Sequence, residues 1–125
     1  MKLEINGTSY NLNFGLGAFE LAGDALDMTP DEVLVEIGNS KVFNRLVYSA
    51  IKNALLLEDE YAELPFNYFK FLDEISQKPQ EVNEEITKAF WATARNGKTF
   101  GEWFGIDLPT ETEVKKKATR KKQSE

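Results

Sequence analysis

Leu3-Glu4-Ile5-Asn6-Gly7-Thr8-Ser9-Tyr10-Asn11-Leu12-Asn13-Phe14-Gly15 decides how the chain begins to fold. Asn6-Gly7 is a strong two-residue hairpin signal, because a type I′ turn needs φ > 0 at both central positions; asparagine tolerates this and glycine adopts it without strain. With that turn, Ile5 faces Thr8, Leu3 faces Tyr10 and Met1 faces Leu12 on one side, while Glu4 faces Ser9 and Lys2 faces Asn11 on the other. One face is apolar and the other polar, as a half-buried ribbon requires. A lone two-stranded ribbon is marginal in water, so its apolar face has to rest on a body supplied by the remainder of the chain.

That remainder reads as helix. Leu16, Phe19, Gly23 and Leu26 share one face of a helix over 15–26, in which Gly17 and Gly23 lower the propensity and suit close backbone approach. Thr29-Pro30-Asp31-Glu32 carries the cap, the first-turn proline and the capping-box glutamate of a short helix with Val33, Leu34 and Ile37 inside, ended by Gly38-Asn39. Ser40 is placed to cap the clearest helix, where Phe43, Leu46, Val47, Ala50, Ile51, Ala54 and Leu55 recur at the spacing of a buried stripe. The acidic segment Glu58–Glu63 reads as a solvated loop. Pro65 opens a helix from Phe66 to Ser76 with Tyr68, Phe71, Leu72 and Ile75 on one face, and Phe66 and Phe69 towards another. Pro79 opens the next, with Val82, Ile86, Ala89, Phe90 and Thr93 in register, stopping at Asn96-Gly97. Residues 98–106 are aromatic and suit a single turn. Beyond Pro109 almost no apolar residue is left to offset ordering entropy.

The expected fold is therefore α+β and mostly α-helical, an N-terminal β-hairpin packed on about five short-to-medium helices. Residues 1–108 make a single globular domain, with the hairpin over 1–14 and the helical body over 15–108. Residues 109–125 form a basic disordered tail.

Composition excludes much chemistry. The chain has no cysteine and no histidine, which removes disulfides, thiolate metal sites and every Ser-His or Cys-His nucleophile arrangement. Asp73-Glu74 and Glu84-Glu85 are helix neighbours that point apart, so they read as solvated surface and not as an acid/base pair. Asp24 with Asp27, and Glu58-Asp59-Glu60, lack the spacing of a calcium loop. Gly15-Leu16-Gly17 lacks the third glycine and the parallel strand of a dinucleotide fingerprint. No enzyme activity, cofactor or metal is expected.

Charge is uneven. Residues 1–109 hold nine Lys/Arg against 18 Asp/Glu, a net −9, and residues 110–125 hold six against three, a net +3. So acidic a body repels nucleic acid at moderate salt. No apolar run reaches the roughly 18 to 20 residues that span a bilayer, and the N-terminus lacks a basic and apolar leader, so the expected location is the cytoplasm.

The surplus lies in aromatics. Phe100, Trp103 and Phe104 have two readings, a plug that completes the core or an anchor for a partner, and Phe66 and Phe69 share both. These five are the candidate partner-binding residues.

The opening Met1–Gly17, with its strand, Asn-Gly turn and Tyr10-Asn11-Leu12-Asn13-Phe14-Gly15, followed by an acidic helical body and a Lys-rich end, resembles the tail assembly chaperones of long-tailed bacteriophages and prophages of Gram-positive bacteria. The resemblance covers residues 1–105 and is most specific in the hairpin. It implies a non-enzymatic helper made in the bacterial host cytoplasm and absent from the finished virion. Its partner would be the tape measure protein, kept soluble until tail-tube subunits polymerise around it. The major tail-tube protein and further copies of the chain are the other partners it suggests. An acidic inhibitor or DNA mimic from a mobile element is the alternative, with the −9 body in its favour.

Overall fold

The computed structural model describes residues 1–106; the basic tail expected over 109–125 lies outside the described residues. The architecture is α+β. In chain order it comprises β1 (Lys2–Ile5), β2 (Thr8–Asn11), α1 (Leu16–Leu26), α2 (Pro30–Val35), α3 (Ser40–Glu58), α4 (Tyr68–Ser76), α5 (Gln80–Trp91), β3 (Ala94–Arg95), β4 (Lys98–Thr99) and α6 (Phe100–Trp103). The strands form two separate antiparallel pairs, β1–β2 and β3–β4. The residues gather into two compact units, Met1–Phe90 and a second that begins at Trp91.

In the first unit the opening hairpin has the expected register, from Ile5 opposite Thr8 to Lys2 opposite Asn11. Asn6 and Gly7 take φ of 52° and 77°, as the tight turn demands. Leu3 and Ile5 are buried. Thr8 is exposed and Tyr10 half-buried, so β1 supplies most of the ribbon's inward face. The chain leaves β2 through a polar knot: the Asn13 N–H donates to the Ala50 carbonyl at 3.1 Å, and the Asn53 amide donates to both the Asn13 carbonyl and its Oδ1 at 3.2 Å. Gly15 N–H completes it, donating to Asn13 Oδ1 at 2.8 Å. Asn53 is buried with its amide group paired, so this polar group costs little where it sits.

Helix α1 packs on α3 and α2. A Cβ at Gly17 would overlap the hydrogen-bonded Asn53 side chain at its Oδ1, and one at Gly23 would overlap the Met28 carbonyl oxygen. Neither position has room for a side chain: Gly17 lies against the Asn53 side chain and Gly23 against the Met28 backbone. Leu16 departs from expectation: it is exposed, and Ala18, Phe19, Ala22 and Gly23 form the buried face. Because α1 meets its neighbours through small residues, the inward stripe is rotated away from the largest side chain at its start.

Thr29 caps α2 in a complete capping box with Glu32, as local sequence dictates. Asn39 and not Ser40 caps α3, its Oδ1 accepting from Lys41 N–H at 2.9 Å; Ser40 is the first helical residue. The helix after Pro65 likewise starts later than expected, at Tyr68, because Asn67 Oδ1 accepts from Lys70 N–H at 2.9 Å. In both cases asparagine captures a free helix N–H that the neighbouring residue was expected to cap or lead into. The large side chains enclosed most fully in this unit are Phe19, Phe71, Phe90, Ile5, Leu46, Ile51 and Val33. Phe90 is their hub: its ring centre lies 5.4 Å from Phe14, 5.6 Å from Phe43 and 6.4 Å from Phe19.

The second unit holds a feature not expected from sequence. Asn96-Gly97, expected to stop a helix, is the turn of a second hairpin, with φ of 55° and 83°, and α5 ends earlier, at Trp91. Thr99 then caps α6 in a capping box with Glu102, which gives the aromatic segment the single helical turn expected of it. Among the described residues no helix is long and apolar enough to cross a membrane.

Candidate interaction surface

The five candidate aromatics divide. Phe66 is 8 % exposed and Phe100 1 %, whereas Phe69 is 76 % exposed, Trp103 52 % and Phe104 45 %. The reason for the first split is local. Phe66 sits in the turn before α4, where its ring meets Tyr10 edge-on at 5.4 Å and Tyr48 at 6.2 Å. Three residues on, the helical turn that buries Phe71 and Ile75 turns Phe69 outward.

Around Phe69 the surface is built from side chains that sequence reading did not single out. Arg45 on α3 lays its guanidinium carbon 3.6 Å from the centre of the Tyr68 ring and 5.9 Å from that of Tyr48. Tyr68 in turn lies 6.0 Å from the Phe69 ring and 5.6 Å from Tyr48, and the Tyr48 hydroxyl donates to the Phe66 carbonyl at 3.2 Å. Arg45 Nε is buried without an acceptor, and among the described residues no carboxylate pairs with this arginine. The stack on Tyr68 takes the place of an ion pair, an interaction worth about 0.5–2 kcal/mol depending on how dry it is. A sequence signal existed: Arg45 and Tyr48 are three apart in α3, hence on one side of it.

Burial raises the pKa of both Tyr48 and Tyr68 above the ordinary value of 10.0, with the charge of Arg45 pulling the other way. A phenol whose folded pKa is raised binds its proton more tightly when folded, so its contribution is complete below pH 10 and is lost as pH rises from there through the folded pKa. Denaturant midpoints are therefore expected to fall above pH 10, and less steeply in Tyr68→Phe. An equal fall in that variant would mean the phenol is not buried as described.

In the second unit the exposed aromatics are fixed in place. Trp103 Nε1 donates to the Arg95 carbonyl at 3.1 Å, Lys98 Nζ stands 4.6 Å from the centre of the Trp103 ring, and Phe104 meets Trp91 edge-on at 5.6 Å. Phe100 packs with Arg95, whose guanidinium carbon is 5.0 Å from its ring centre. Ile106 is also exposed. Trp103 thus has its polar atom satisfied while about half of the residue faces water, as interface tryptophans do.

Among the described residues no group of three or more Asp or Glu could hold a metal ion. What the two surfaces offer is contact: aromatic area and rings faced by cations, the first of them in a unit whose residues 1–90 hold seven Lys/Arg against 16 Asp/Glu. Comparison of the chain with protein-family models, with curated protein sequences and with solved structures finds no match.

Proposed function

We propose that this chain is a tail assembly chaperone of a long-tailed phage or prophage, which binds the tape measure protein in the host cytoplasm, keeps it soluble until the tail tube polymerises, and is not carried into the virion. The observation that carries the proposal is Phe69, a large ring 76 % exposed on α4 of an acidic domain. A helper for a long amphipathic helix needs exposed apolar side chains to cover the client's stripe and negative charge to keep the complex dispersed, and Phe69 beside the Tyr68 ring supplies such a side chain. The hairpin that carries the family resemblance has the expected register, which supports the reading at the level of fold.

The test is co-expression with the tape measure protein of a long-tailed phage. The client should remain soluble and co-purify. Phe69→Ala should weaken capture at least tenfold while changing stability by no more than about 0.5 kcal/mol, as surface substitutions do; unchanged capture would remove Phe69 from the interface. The acidic inhibitor or DNA-mimic reading rests on the −9 charge of residues 1–109. It differs in salt response: binding governed by that charge collapses as salt screens it, and apolar capture does not.

A further inference from the structure

Arg45 is out of keeping with its surroundings. Residues 1–90 hold seven Lys/Arg against 16 Asp/Glu, so a half-buried arginine has many acids in the same unit, yet none pairs with it among the described residues. Of its three side-chain nitrogens only Nε is closed off from solvent. The flat face is taken by Tyr68 at 3.6 Å, which leaves the terminal nitrogens presented in a fixed plane at the border of an aromatic patch. Leaving Nε dry and unpaired costs stability. A planar, pre-organised donor edge is what bidentate recognition of a carboxylate uses.

We propose that Arg45, Tyr68 and Phe69 form the point at which a client polypeptide is read: an Asp or Glu carboxylate of the client takes the outer edge of the guanidinium, and a large apolar side chain one helical turn away covers Phe69. This deepens the chaperone reading and rests on it for the identity of the client. Charge decides the kind of partner. A polyanion would meet the net −9 of residues 1–90 and be repelled, whereas a neutral or basic amphipathic helix with one acid beside its apolar stripe meets a local cation and a favourable surround.

The probe is a synthetic amphipathic helix of Leu, Lys and Ala with a single Glu one turn from a Leu, and a twin with Gln in place of that Glu, titrated into the full chain at low salt. The Glu peptide should bind about tenfold more tightly than its twin. Arg45→Gln should remove that difference, Arg45→Lys should restore part of it, and Phe69→Ala should weaken both peptides alike. Equal affinity for the two peptides, binding of neither, or a preference that survives in Arg45→Gln overturns the proposal; the wild-type comparison needs no variant to fold. The two readings separate cleanly. Discrimination of the peptides without capture of the tape measure protein leaves the site and removes the chaperone, and capture without discrimination does the reverse.

Discussion

Phe90→Ala is expected to remove about 3–5 kcal/mol of stability, the usual cost of emptying a buried phenylalanine site. Phe90 is wholly enclosed, and two of its ring neighbours, Phe14 and Phe43, meet it nearly edge-on, at interplanar angles of 83° and 85°. Such pairs contribute roughly 0.5–1.5 kcal/mol each beyond area, and the void left would be walled by rings that cannot collapse into it without leaving their other contacts. Because Phe14 lies just beyond the hairpin and Phe43 on α3, the loss should fall on the cooperative unfolding of the first unit as a whole. Denaturant titration followed by circular dichroism measures it. A loss below about 1 kcal/mol, within the range of an exposed site, would show that these rings do not surround Phe90.

Gly23→Ala should also destabilise, by about 2–3 kcal/mol, although alanine is normally better than glycine by about 1 kcal/mol in a helix interior. The sign reverses because the end of α1 folds back over this residue. Asp27 takes φ of 56° in the left-handed region, and its N–H, like that of Met28 at 2.9 Å, converges on the Gly23 carbonyl. The Met28 carbonyl oxygen occupies the space that a Cβ at Gly23 would need. Being backbone, it cannot swing aside as a flexible side chain would. Gly38 is the internal control: nothing lies within 4 Å of a Cβ there, so Gly38→Ala should leave the midpoint nearly unchanged. If both variants behaved alike, the α1–α2 turn would have to be drawn differently.

The parts of this fold that could be read in advance are those settled by contiguous residues. Asn6-Gly7 specified both the turn and the register because four-residue strands with clear polarity flank it. The Thr29 capping box, four residues long, was equally legible. Asn96-Gly97 carries the same dipeptide and the same backbone signs, yet its strands are two residues each and too short to show any alternation, so the helical pattern before it dominated. Phe66 and Phe69 show the other limit. Both lay off the expected inner face, and only the placement of Tyr10 and Tyr48 decides that one is enclosed and the other is not. Arg45 escaped notice because its partner ring is on α4, more than twenty positions along.

The polar knot at Asn13 has a consequence for how the protein comes into being. Asn53 reaches back 40 positions to hold the exit of the first hairpin, so a nascent chain released before that residue emerges has a ribbon with no anchor and an apolar side open to other nascent chains. Early termination anywhere ahead of α3 should yield aggregating fragments, not a smaller working version, and a dissected N-terminal peptide is the wrong reagent for studying this protein.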